Sequence, residues 1–137
     1  MSGPTPQLLA MLFCDHILRE HGSRKTSLFG IFDRFWVQNF PSTHPVVWVY
    51  ARVTDAQGTY DFKLELVSLE NLNVIAEALA PNAQVPDRNM AYEIIFRLVN
   101  FPLPAEGRYE FRLFANGEFI GNQSFQVAPI APQGGAE

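Results

Sequence analysis

Residues 107–127 read GRYEFRLFANGEFIGNQSFQV, and this stretch decides the fold class. Tyr109, Phe111 and Leu113 alternate with Arg108, Glu110 and Arg112, the period-2 pattern of a strand with one face in a core and the other in water. Asn116-Gly117 follows at once. Both central residues of a type I′ turn need φ > 0, which Asn and Gly adopt at the least steric cost. Phe119 to Val127 then supplies the return strand, with Phe125 and Val127 as its apolar anchors.

Working outward, the same grammar repeats. Val46 to Thr54 is β-branched and aromatic, Asp55-Ala56-Gln57-Gly58 is a turn, and Thr59 to Val67 alternates again. In that strand Tyr60, Phe62, Leu64 and Leu66 share one face, while Asp61, Lys63 and Glu65 share the other. Met90 to Phe101 reads as a long strand with Tyr92, Ile94, Phe96 and Leu98 on one face. Leu8 to Arg19 and Thr26 to Phe40 form a third hairpin through His21-Gly22-Ser23-Arg24-Lys25, and Pro41 and Pro45 bracket a loop that cannot donate ladder hydrogen bonds. Val74 to Ala80 fits a helical stripe (Leu72, Ile75, Ala76, Leu79) as well as a strand; its short length and its neighbours favour strand. Pro81 to Asn89 reads as a loop.

Segments of strand length at this spacing predict an all-β protein, a sandwich of seven to eight antiparallel strands. Residues 8–127 form one domain, with a tail at 1–7 and a Pro- and Gly-rich tail at 128–137. The 137 residues suffice to bury a core without disulfides, and the single cysteine, Cys14, permits no internal one. Eighteen aromatic residues, twelve of them Phe, against 18% charged residues and a net charge of −4, exclude disorder and coiled coil. No apolar run reaches the roughly 18 residues of a membrane helix. Acidic balance argues against nucleic acid, which needs a positive face; the one basic concentration, Arg19, Arg24 and Lys25 with His16 and His21 nearby, reads as a solvated hairpin tip. With no basic opening to a signal peptide before residue 8, a reduced, cytoplasmic setting is expected.

Two resemblances follow from these residues. The segment Tyr92 to Val127 resembles the last three strands of an immunoglobulin-like sandwich; that likeness implies that Tyr109, two residues after Gly107, forms a tyrosine corner by bonding back to upstream backbone. Phe111 and Ala105 depart from the Cys and Asp of antibody domains, which leaves a generic Ig-like sandwich. Cys14-Asp15, Gly30-Ile31-Phe32-Asp33, Phe40-Pro41, Val49-Tyr50-Ala51-Arg52, Gly58 and Gly107-x-Tyr109 together resemble an uncharacterised bacterial family of small domains. That resemblance implies a single domain and no particular activity.

Candidate chemistry is sparse. Cys14 and His16 share one strand face, but same-face neighbours stand about 6.5–7 Å apart at the backbone and no third residue orients the His, so a core cysteine is expected. Three histidines without a His-x-His or Cys-x-x-Cys pair provide no metal set, and no cofactor is expected. Asp15 and Asp33 each interrupt an apolar strand, and a buried carboxylate needs a partner; Arg34 and Arg52 are available. A capping or paired aspartate is the reading taken, and a pocket around both, serving a small-molecule or carbohydrate binder or hydrolase, is the alternative.

Several strands are apolar on both faces. Leu8, Leu12 and Leu18 oppose Leu9, Met11, Phe13 and Ile17; Leu28 and Phe32 oppose Phe29, Ile31 and Phe35; Val46 and Trp48 oppose Val47 and Val49. A sandwich strand needs only one apolar face, so something covers the other: a partner, the Pro81–Asn89 loop, a tail, or a β-bulge that shifts the phase. The expected function is a non-enzymatic interaction or scaffolding module, a homodimer, with Met11, Phe13, Ile17, Phe29, Phe35, Trp36 and Trp48 at the interface. Gly107, Tyr109, Asn116 and Gly117 are expected to be structural.

Overall fold

Nine strands in two sheets enclose an aromatic core in a computed structural model that describes residues 3–130. In chain order they are β1 (Gln7–Arg19), β2 (Thr26–Phe32), β3 (Arg34–Val37), β4 (Ser42–Thr54), β5 (Gly58–Ser68), β6 (Val74–Val85), β7 (Tyr92–Leu103), β8 (Gly107–Ala115) and β9 (Glu118–Pro129). One sheet has the order β2-β1-β4-β7 and the other β3-β9-β8-β5-β6. The all-β reading and the sandwich hold, while the count rises to nine and one pairing, β3 with β9, is parallel.

The hairpins form where turn chemistry placed them. Asn116 and Gly117 take φ of 51° and 83°, the two positive values that a type I′ turn requires. Tyr60, Phe62, Leu64 and Leu66 on β5 and Tyr109, Phe111 and Leu113 on β8 all point into the core. There Phe13, Phe35, Phe101, Phe111 and Phe125 pack ring on ring, with centroids 5.1–6.3 Å apart. The Tyr109 hydroxyl donates to the Ala105 carbonyl at 2.6 Å, closing the corner expected of it.

Four expectations need correction. Thr26 to Phe40 is not one strand: Asp33 breaks it, and the chain leaves the first sheet on β2 to join the second as β3. Pro41 to Pro45 is not a loop, because β4 begins at Ser42 and runs through Pro45. By that point β1 has left the side of β4, its last partner there being Trp48, and an open side is where a strand tolerates proline. Pro81 to Asn89 is not a loop throughout: β6, which includes Val74 to Ala80 as the strand expected there, continues through Pro81 to Val85, and as a sheet edge it again accommodates the missing N–H. Within the expected N-terminal tail, Pro6 is buried and the Pro4 carbonyl accepts from the Tyr60 hydroxyl at 2.6 Å. At the other end β9 includes Ala128 and Pro129, and the remaining tail, 131–137, together with residues 1–2, lies outside the described residues.

The two-sided apolar character of β1 has a geometric origin. A bulge at Leu9 shifts the register between Leu8 and Ala10, so Leu8, Met11 and Phe13 all meet the core despite their mixed spacing. Beyond Cys14 the strand leaves the sheet. Continuing the register that sets Cys14 opposite Trp48, Arg19 would lie opposite Thr43, about 30 Å along β4 from Arg52 at ~3.3 Å per residue. Instead Arg19 reaches Glu93, the residue paired with Arg52, at 3.2 Å. The far half of the β1–β2 hairpin, residues 15–29, is therefore folded back as an arm across the outer face of its own sheet.

Candidate functional site

The side of the sandwich where the chain crosses from β2 to β3 brings together Asp15, Phe35 and Trp36 of the residues singled out from sequence. β2 ends one sheet and β3 ends the other, so each has one row of backbone groups without a strand partner. Ile31 on β2 and Trp36 on β3 line a shared depression of about 390 Å³ with Asp15, Gly30, Phe32, Arg34, Phe35 and His44. Trp36 is 59% exposed, Ile31 54% and Phe29 50%. The Arg34 guanidinium lies 5.3 Å from the Trp36 ring centroid and donates to the Gln126 side chain at 3.3 Å. Such stacking holds an exposed indole in one orientation at a gain of about 0.5–1 kcal/mol.

Asp15 and Asp33 do not converge. Asp33 lines a different depression with Leu12, Phe13 and Gln123, and the two hollows share only Ile31 and Phe32. Both aspartates are solvent-exposed, so neither bears the desolvation that would have demanded a buried partner. Arg52 is engaged elsewhere, with Glu93.

The seven residues expected at an interface divide. Met11, Phe13 and Phe35 are in the main core, and Ile17 is buried in a second small cluster with Cys14 and Tyr50; none of the four faces a partner. The bulge at Leu9 turns Met11 and Phe13 inward, the sheet switch turns Phe35 inward, and the folded-back arm covers Ile17. Trp48 is half-buried under the same arm, with its ring 5.3 Å from that of His16. Phe29 and Trp36 remain on the surface. Of the residues expected to be structural, Gly107 has a φ of 141° and opens the strand that carries Tyr109.

Cys14 is a buried, free cysteine. Its thiol donates to the carbonyl of His16 at 3.4 Å rather than facing an imidazole. Burial pushes its pKa up, assisted by the Asp15 charge and only partly opposed by backbone hydrogen bonds from His16 and Phe29; a protonated thiol is inert. Among the described residues no three His, Cys, Asp or Glu side chains group as a metal site.

Sequence reasoning missed a connected polar cluster centred on Glu93. Glu93, whose side chain is only 12% exposed, accepts hydrogen bonds from the Tyr50 hydroxyl and from Thr26 at 2.7 Å, and pairs with Arg19 at 3.2 Å and Arg52 at 3.5 Å. Burial alone would raise its pKa; the Tyr50 and Thr26 hydrogen bonds and the two guanidinium charges reverse this and hold the carboxyl below its ordinary value. Tyr50 is held protonated by burial and by donation to that carboxylate. Tyr50, Arg52 and Glu93 project from one face of adjacent strands, and only their register, unknown from sequence, reveals the cluster.

Residues 9–128 match the family of unknown function DUF6941, and the chain belongs to that family. No curated protein matches it. Among the described residues no helix is long and apolar enough to cross a membrane.

Proposed function

We propose that this chain is a non-enzymatic protein-interaction module that assembles through the β2–β3 side of its sandwich, with a second copy of itself as partner. The observation that carries the reading is the exposure of Trp36 and Ile31 on two consecutive edge strands beside one shallow depression, with Phe29 exposed further along β2. Large aromatics in such a setting bury much area with few rotatable bonds, which is why interfaces are enriched in them.

The edges themselves support the same choice. Sheet edges are normally protected by charge or proline. β6 carries Glu77 and Pro81, β7 carries Glu93, Arg97 and Pro102, and β3 carries Arg34, whereas β2, Thr26–Phe32, has neither a charge nor a proline. An unprotected edge next to exposed aromatic residues suits a two-fold contact, in which one patch meets its own copy. The Tyr109 corner and the β8–β9 hairpin favour an immunoglobulin-like frame for this module. The separation of Asp15 and Asp33 into two hollows gives an acid/base pair no common substrate position.

Light scattering on the purified full chain tests the proposal. The wild type is expected to be a dimer at micromolar concentration and Trp36→Asp a folded monomer, with folding checked by circular dichroism. A monomeric wild type overturns the assembly, and a dimeric Trp36→Asp overturns the placement.

A further inference from the structure

We propose that residues 15–29 are a hinged arm, latched at Glu93, whose release uncovers an apolar face of the sheet formed by Cys14, Trp48, Tyr50 and Ile95. The inference does not need assembly at the β2–β3 side, with which the arm shares Phe29, and rests on how the arm is hinged, how it is seated and what lies beneath it.

The hinge has two parts. Pairing of β1 with β4 ends at Cys14, so the chain beyond it is free of the sheet. On the return strand Gly30 has a φ of 70°, a left-handed value that bends β2 opposite Asp15 and that a side chain would oppose. A Cβ at Gly30 would lie 2.5 Å from Oδ2 of Asp15.

The seat is small. Ile17 and Leu28 on the underside of the arm pack on Cys14, Tyr50, Trp48 and Ile95, a cluster separate from the main core. The polar attachments of the arm include those of Arg19 and Thr26 to Glu93 at the far end and, next to the hinge, the weak bond that the His16 carbonyl accepts from the Cys14 thiol. Segments with few buried apolar contacts open at lower free energy than the core that supports them. Release does not orphan the carboxylate, because Tyr50 and Arg52 of β4 still hold Glu93. The open arrangement therefore carries no unpaired buried charge, the penalty that would otherwise forbid it. What it does carry is an exposed apolar strip of sheet, Trp48-x-Tyr50 beside Ile95.

Cys14 reports on this motion directly. It is the only cysteine of the chain and is fully buried beneath the arm, so any thiol reagent that modifies it requires opening. The test is labelling of the native full chain with an aromatic disulfide across a series of urea concentrations below the unfolding transition. The arm predicts labelling with a shallow urea dependence, distinct from that of global unfolding. Glu93→Gln should raise the low-urea rate about tenfold, as expected for loss of one charge-assisted hydrogen bond. Leu64→Ala, which weakens the main core on the other sheet, should lower the unfolding midpoint and leave that rate unchanged. Labelling that follows global unfolding at every urea concentration, that accelerates with Leu64→Ala, or that ignores Glu93→Gln overturns the proposal.

Discussion

Replacing Glu93 by Gln perturbs four contacts at once, and the structure sets the size of the effect. The carboxylate accepts one hydroxyl bond on each oxygen, from Thr26 on Oε1 and Tyr50 on Oε2. Gln keeps one acceptor, so one of these bonds is lost; hydrogen bonds to a charged group contribute roughly 1.5–3 kcal/mol. The pairs with Arg19 and Arg52 are lost as well, but those side chains are 55% and 47% exposed, and solvent screening limits each to about 0–1 kcal/mol. The expected destabilisation at pH 7 is about 1.5–5 kcal/mol, the sum of these ranges. The pH dependence has a definite sign. Folding depresses the Glu93 pKa, so its contribution is complete above the unfolded value of about 4.3 and is lost as pH falls through the folded value. The gap between wild type and Glu93→Gln should thus be constant from pH 8 to 6 and narrow below about pH 5 as the carboxyl is protonated. Urea denaturation followed by tryptophan fluorescence measures it. A gap under about 0.5 kcal/mol at pH 7, within the range of neutral surface changes, or one that does not narrow in acid, would refute the latch.

Two further substitutions separate interior from surface and probe the hinge. Phe13→Ala empties the centre of the aromatic core and should cost about 3–5 kcal/mol, whereas Phe29→Ala, on the exposed side of the arm, should change the stability of the monomeric Trp36→Asp chain by no more than about 0.5 kcal/mol; thermal or urea unfolding in that background that ranks them the other way would contradict the burial described. Gly30→Ala should cost at least about 1–2 kcal/mol, the price of a left-handed Ala, with an additional crowding penalty against Asp15. In an Asp15→Ala background that penalty should fall, giving a coupling above about 0.5 kcal/mol in the four-variant cycle, and strict additivity would remove the steric argument.

Local chemistry in the sequence carried much of the architecture. Asn116-Gly117 could serve only a tight turn, and the alternation at Tyr60–Leu66 and Tyr109–Leu113 had one consistent face, so these hairpins were legible without any long-range information. The failures share a cause. Whether Thr26–Phe40 is one strand or two depends on which sheet Arg34–Val37 joins, a contact with Gln126–Pro129 more than ninety residues away. Leu8 and Met11 look as though they face opposite ways until the bulge at Leu9 is counted. Pro45 and Pro81 marked loops by their chemistry, yet each sits on a strand with an open side, which only the sheet order discloses. The surplus apolar residues of 8–50 stand out in the sequence, but part of their cover is the protein's own arm. Gly30 was the available signal, since a glycine within a β-branched and aromatic run marks a bend.

The proposed assembly surface is tested most directly by amide hydrogen exchange on the wild-type chain at two protein concentrations, one well above and one well below the dimer's dissociation range. The account predicts that raising the concentration slows exchange at residues 29–36, on β2 and β3, while the β6 and β7 edges are unaffected. Exchange at 29–36 that is the same at both concentrations, or slowing confined to β6 and β7, would contradict it.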